Sequence, residues 1–395
     1  MIKRILYTLL IMFPVLASAQ INTDRVMAIG RNALYFEDYV LSIQYFNQVI
    51  NAKPYLSDPY FYRGLAKINL DDFQGAESDC SEAIERNPFV VSAYQVRGLA
   101  RIQQNNFAGA IEDYTKALEF DPENIGVWHN MALCRIRQED YKGAKNDLDK
   151  LIAISPRYTK AYLMRGEVDL KQKDTLAAEK DFGKAIEIDR YDADTWASRA
   201  ILRLQQQRYK DAEADFDHAI RLSTRNSGVY INRALARYHQ NNLRGAMSDY
   251  DIALDIDPNN FIGHYNRGLL RAQVGDDNRA IQDFNFVIEM EPDNMMAIFN
   301  RGLLLDQTGD YKGAIKDYST VINEYPNFLL GYQYRAQARR KIGDVKGADA
   351  DEFKVLKAQL DKQNGVDPNK QTADNTENNN CLLYTSPSPR DGATS

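Results

Sequence analysis

Small and apolar residues return along this chain with two superposed periods. The short one is the three-to-four-residue spacing of a helix with one buried face, and the long one is 34 residues. A Gly or Ala recurs at Gly30, Gly64, Gly98, Ala132, Gly166, Ala200, Ala234, Gly268, Gly302 and Ala336. A second small residue runs from Ala76 through Ala110, Ala144, Ala178, Ala212, Ala246, Ala280 and Ala314 to Ala348, and an aromatic commonly follows four residues later, as at Tyr114, Phe182, Phe216, Tyr250, Phe284 and Tyr318. Each period therefore predicts two helices whose small residues permit close approach. Between them fall Asp71-Asp72, Asn105-Asn106, Gly309-Asp310 and Gly343-Asp344, turn residues able to cap the second helix. Proline closes the unit at Pro54, Pro88, Pro122, Pro156, Pro258, Pro292 and Pro326, with Arg190 and Thr224 at the two remaining grid points. A register kept without insertion or deletion means one supersecondary unit copied in tandem, an array in which stability comes from stacking neighbours.

Helix, turn, helix in 34 residues, with aromatic-x-x-x-Gly/Ala, Ala-x-x-x-aromatic and a closing proline, resembles the tetratricopeptide repeat family. The stretch Tyr94-x-x-Arg97-Gly98, Ala110-x-x-x-Tyr114, Pro122 shows it best, and the resemblance covers roughly residues 23 to 362. It implies an all-α, right-handed α-solenoid of about ten 34-residue repeats, with the first helices lining a concave side. One departure stands out. Where the family usually has leucine before the glycine, this chain has Arg63, Arg97, Arg165, Arg199, Arg233, Arg267, Arg301 and Arg335.

These arginines have a partner column sixteen residues on: Asp79, Asp113, Asp147, Asp181, Asp215, Asp249, Asp283, Asp317 and Asp351. A second cation often follows four residues after the first, as in Arg97/Arg101 and Arg267/Arg271. Like charges at that spacing repel, and a shared carboxylate would offset the repulsion. Structural ion pairs are expected at Arg97–Asp113, Arg199–Asp215, Arg233–Asp249 and Arg267–Asp283. The first unit lacks both members, with Ile29 and Tyr45 in their places, and the fourth has Met131 opposite Asp147.

Projection at 100° per residue places Phe61, Gln95, His129, Leu163, Ile231, Tyr265 and Phe299 in one outward column of the first helices, with Asn130, Asn232, Asn266 and Asn300 beside it. A primary amide donates and accepts, so this column could pair with the backbone of an extended peptide. It resembles the asparagine ladder of some members of the family. Two readings stay open: a peptide-binding groove formed by Asn130, Asn232, Asn266, Asn300, Phe61, His129, Tyr265 and Phe299, or amides that solvate an inner surface. Leu65, Leu99, Leu133, Ile201, Leu235, Leu269 and Leu303 are expected to pack between repeats.

Composition narrows the function. Forty-nine basic against 55 acidic residues give a formal charge of −6, and no basic stripe suggests a nucleic-acid partner. Cys80 and Cys134 read as small buried hydrophobes separated by a complete repeat. His129, His218, His239 and His264 lack metal-ligand spacing, and no nucleophile, phosphate loop or acid–base pair is discernible. Neither catalysis, cofactor nor metal is expected.

At the amino end, Lys3 and Arg4 precede an apolar run from Ile5 to Leu16 and the small-x-small sequence Ala17-Ser18-Ala19, the form of a cleaved export signal over residues 1–19. With 20–362 as the repeat array, 363–380 reads as a polar tail or linker, and 381–395 as the translation of a sequencing adapter. The expectation is a periplasmic or extracellular, non-catalytic scaffold of the bacterial envelope, without a transmembrane span after cleavage, that binds a protein or extended peptide. The alternative is the amino-terminal arm of a longer enzyme or envelope-anchoring protein.

Overall fold

The computed structural model describes residues 22–222 and 225–363. The export signal, residues 364–380 of the polar tail and the adapter-like segment lie outside them. Twenty helices and no strand occur among the described residues, and they fall into two compact units divided between Ile188 and Asp189.

The first unit holds five helix pairs: α1 (Thr23–Tyr35) with α2 (Tyr39–Ala52), α3 (Asp58–Ile68) with α4 (Phe73–Arg86), α5 (Val91–Gln103) with α6 (Phe107–Phe120), α7 (Ile125–Arg137) with α8 (Tyr141–Ile154), and α9 (Thr159–Lys171) with α10 (Thr175–Ile188). The second holds α11 (Ala193–Gln205) with α12 (Tyr209–Arg221), α13 (Ser227–His239) with α14 (Leu243–Ile256), α15 (Phe261–Gln273) with α16 (Asp277–Met290), α17 (Met295–Thr308) with α18 (Tyr311–Glu324), and α19 (Leu329–Lys341) with α20 (Val345–Gln363). Within each unit a helix packs first on its partner in the pair and then on the next pair.

The turn inside each pair has one recipe. Its first residue is left-handed: Glu37, Asp71, Asn105, Glu139 and Lys173 in the first unit, Gln207, Asn241, Gly275, Gly309 and Gly343 in the second, with φ from 58° to 92°. The next residue is usually the cap of the second helix. Asp72 Oδ1 accepts from the Gly75 N–H at 2.9 Å, and Asn106, Asp310 and Asp344 do the same for Gly109, Gly313 and Gly347. Such a cap satisfies one of the donors that a helix start leaves unpaired, worth about 1 kcal/mol.

The helices of a pair cross where the small residue stands. A Cβ at Gly98 would lie 2.8 Å from the Tyr114 ring, and one at Gly166 would lie 2.6 Å from Phe182. The core is shared across repeat boundaries: Tyr94, Ala110 and Tyr114 of the third repeat close on Val127, Met131 and Cys134 of the fourth. No repeat buries its own apolar face alone, as stacking requires. At the loop edge, the aromatic that opens each of several first helices is anchored by its polar tip. Trp128 Nε1 donates to the Pro122 carbonyl at 2.8 Å, Trp196 Nε1 to that of Arg190 at 3.0 Å, and the Tyr162 hydroxyl to that of Pro156 at 3.1 Å.

The last helix carries polar and apolar residues on its open face. Glu352 is exposed and pairs with Arg340 at 2.6 Å, but Phe353, Leu356 and Leu360 are exposed on the same helix, Phe353 to 67%. The helix also runs to Gln363, one residue into the segment read as tail. Leu356 occupies the register of Ile50, Ile84 and Leu254, which the following repeat covers elsewhere.

Candidate functional site

The ion-pair column is the most regular polar feature. Arg97 Nη2 lies 2.6 Å from Asp113 Oδ1, Arg199 Nε 2.8 Å from Asp215 Oδ2, Arg233 Nη2 2.6 Å from Asp249 Oδ1, and Arg267 Nη2 2.8 Å from Asp283 Oδ1. Each guanidinium reaches from the first helix to the second of its own pair and takes the carboxylate through two nitrogens, and Arg97 Nε additionally shares both oxygens. The second cation approaches the other side: Arg101, Arg203, Arg237 and Arg271 stand 2.7 to 3.0 Å from the same carboxylates. These aspartates are all buried.

A third arm of the column is invisible in the pairing rule. The remaining guanidinium nitrogen turns back to the preceding repeat, where Arg97 donates to Ser81 Oγ at 3.1 Å, Arg165 to Asp149 at 2.6 Å, Arg233 to Asp217 at 2.7 Å and Arg267 to Asp251 at 2.8 Å. The arginine thus binds the two helices of one repeat and staples that repeat to its predecessor. A further staple joins residues 24 apart. Arg101 meets Glu77 at 2.8 Å and Arg237 meets Glu213 at 2.7 Å, with Gln104 and Gln240 completing each carboxylate. At the fourth-to-fifth boundary the charges are exchanged, Lys145 facing buried Asp169 at 2.5 Å.

Two carboxyls of the column differ with the groups that face them. Burial alone would push the Asp283 carboxyl up, but His264, Arg267 and Arg271 hold it below the usual carboxylate range. Asp147, with Met131 in place of the first arginine, is pushed up to about 6 by burial, which Arg135 at 2.7 Å offsets only in part. The acid column is therefore spent on joining helices.

The groove residues divide. Phe61, His129, Asn130 and Phe299 are half-buried on the first helices, as is Gln95, and next to Gln95 Leu99 is 39% exposed. His129 Nδ1 lies 3.3 Å from the Tyr158 hydroxyl, while Phe299 packs edge-on against Phe328. Asn232, Asn266, Asn300 and Tyr265 do not line a surface: they are buried, Asn266 and Tyr265 to 0% exposure. This corrects their assignment to a peptide groove. The direction of these side chains places them under the neighbouring repeat, and the Asn300 amide donates to the Tyr265 hydroxyl at 3.1 Å, so a buried phenol and a buried amide satisfy one another. Of the aliphatic stripe, Leu65, Leu133, Ile201, Leu269 and Leu303 pack against core clusters and Leu235 is buried within one.

Cys80 and Cys134 are free and buried, and burial pushes both thiols up to about 12. Among the described residues no cluster of three or more His, Cys, Asp or Glu could hold a metal ion, and no helix is long and apolar enough to cross a membrane.

Three family models match the chain. One, described as TPR repeat, matches residues 98–134; two described as Tetratricopeptide repeat match 125–158 with 159–192, and 198–261 with 265–327. Together they cover 98–192, 198–261 and 265–327, more than half of the 395 residues. Among solved structures, the C-terminal part of a TPR repeat-containing protein from Cytophaga hutchinsonii is 18% identical with a TM-score of 0.51, aligning 60% of this chain with 97% of that one. A tetratricopeptide repeat protein from Parabacteroides merdae is 21% identical with a TM-score of 0.49, over 63% of this chain and 98% of its own. No curated protein matches the chain by sequence.

Proposed function

Because the chain belongs to the tetratricopeptide repeat family, whose fold is generally a non-catalytic scaffold for protein interaction, we propose that it binds a protein or extended peptide along the exposed row of its first helices. One observation carries this reading. In the first unit a single register position supplies Phe61, Gln95 and His129, all partly open, with Leu99 exposed beside them, whereas the arginine and aspartate columns are consumed by contacts within the array. Aromatic and aliphatic area gives a partner side chain something to cover, and Gln95 and Asn130 offer donors and acceptors to its backbone. The row replaces the longer groove that included Asn232, Asn266, Asn300 and Tyr265.

Export belongs to the same proposal. Lys3, Arg4, the apolar run Ile5 to Leu16 and Ala17-Ser18-Ala19 support a cleaved leader, which puts the scaffold in the periplasm or beyond. A fusion of residues 1–40 to an alkaline phosphatase active only outside the cytoplasm would be active, and an inactive fusion would remove this part.

Binding is tested by selecting peptides from a displayed random library on the full chain. Selected peptides are expected to bind the Gln95→Ala, Leu99→Ala double variant at least about tenfold more weakly, ~1.4 kcal/mol. The exposed control Lys116→Ala leaves them unchanged. Equal binding by both variants, or no peptide selected, contradicts the reading.

A further inference from the structure

On the second unit a hollow of about 400 Å³ opens between the segment before α11 and the end of α12, lined by Arg190, Tyr191, Trp196, His218, Arg221 and Leu222. Its floor is a stack: the Trp196 and His218 rings lie 4.2 Å apart and 14° from parallel. The indole N–H is fixed on the Arg190 carbonyl, the same anchor that Trp128 makes to Pro122. The anchor is thus a recurring feature of the repeat, but the charges around it are not. Where Arg190 stands, seven other repeat boundaries have proline, and the register of Arg221 carries Glu85, Glu119, Glu187, Asp255 and Glu289 in other repeats. Two departures of one sign meet at one hollow, on a chain whose net charge is −6.

Of the surrounding carboxylates, Asp215 and Asp217 are ion-paired, while Asp189 and Asp192 keep their charge and accept from neutral donors. Asp189 accepts from the Tyr191 N–H at 2.9 Å, Asp192 from the Thr195 hydroxyl at 2.6 Å, Asp215 holds Arg199 and Arg203, and Asp217 holds Arg233. None of them lines the hollow. Arg190 lies over the Tyr191 ring, 5.2 Å from its centroid. Both Arg190 and Arg221 are exposed, and neither has an acidic partner among the described residues. We infer that the hollow binds an acidic side chain of a protein partner, its carboxylate taken by the guanidiniums of Arg190 and Arg221 and an adjoining apolar side chain laid on exposed Tyr191, beside a Trp196 ring already held between His218 and Arg199. A planar guanidinium fork matches a carboxylate. The exposed Tyr191 ring favours a peptide over a bare anion, which would leave it wet. This site is separate from the first-helix row and rests on that reading only in taking the partner to be a protein.

The chain has two tryptophans, so in a Trp128→Phe variant the emission of Trp196 reports on the hollow alone. The probe is a capped peptide of alternating glutamate and phenylalanine, compared with the same peptide carrying glutamine. A saturable change in emission is expected with the glutamate peptide, at least about tenfold weaker with the glutamine peptide and with the Arg190→Gln, Arg221→Gln double variant. The exposed control Lys116→Ala leaves it unchanged, and because Trp196 lies outside the first-unit row, failure here is distinguishable from failure of the row. Fluorescein-labelled peptides on the chain with both tryptophans serve the case in which Trp128→Phe does not fold. Equal binding of the two peptides, full binding by the double arginine variant, or an affinity for inorganic phosphate or a short oligothymidylate matching that of the peptide would overturn the inference.

Discussion

Asp147 and Asp283 occupy the same register four repeats apart, are both buried, and differ in what faces them. Asp283 meets Arg267 and Arg271 at 2.8 and 2.7 Å and His264 at 3.0 Å. Asp147 meets Arg135, which it shares with Asp140 at 2.9 Å, and Met131 fills the other arginine's place in the core. One carboxyl is held ionised; the other is lifted to about 6. Repetition of an acid along a grid therefore does not repeat its chemistry, because these two carboxyls share the same burial but face different partners, His264 with two arginines in one case and a single shared arginine in the other.

The harshest way to break this contrast is Asp283→Ala. It takes from Arg267 and Arg271 their buried carboxylate and leaves them exposed Asp251 at 2.8 and 3.9 Å; removal of one partner from a buried ion pair costs about 3–5 kcal/mol, and about 3 kcal/mol is expected here, read as a lower unfolding midpoint in urea at pH 7. Because the folded pKa of Asp283 is depressed, its contribution is present above the unfolded value and lost as pH falls through the folded one. The variant should differ least from the parent in acid.

The charge-exchanged staple comes next. Lys145→Glu sets two carboxylates face to face at a buried position and should cost roughly 2–3 kcal/mol, while adding Asp169→Lys should recover most of it. Double-variant stability no better than the single one would mean that the 2.5 Å contact is incidental.

Asp147→Asn has the opposite pH signature from Asp283→Ala. With a folded pKa near 6, raised above the unfolded value, the folded state binds the proton more tightly, so stability falls as pH rises from about 4 to about 6. The asparagine variant should lose that fall and gain roughly 1–2 kcal/mol at pH 7, since each tenfold change in proton affinity is worth about 1.4 kcal/mol before screening by solvent. The smallest effect belongs to the turns: Gln207→Gly relieves a left-handed residue, φ 60°, and should raise the midpoint by the equivalent of about 1 kcal/mol.

Much of this is legible in the chain itself. The proline and glycine grids give the repeat length, and Arg and Asp columns sixteen residues apart name their partners. The backward arm is hidden because its acceptors are chemically unlike, Asn47, Ser81, Asp149 and Asp217 among them. The left-handed column is hidden for the same reason, since Glu, Asp, Asn, Lys, Gln and Gly all occupy it. Asn232 and Asn266 escape for a different one. Helical projection gives the direction of a side chain but not how far the neighbouring repeat overlaps it, and that overlap decides between groove and core. Only half of the candidate row survives this overlap.

If the acid column is structural and its charge is set by the facing cations, the two carboxyls must titrate apart. Carbon-detected NMR of the side-chain carboxyls, followed across the acid and neutral range, should give a midpoint of about 6 for Asp147 and one below the ordinary carboxylate range for Asp283. A common midpoint for the two near the ordinary value of about 3.9 would show that the guanidiniums do not govern them and would contradict the account.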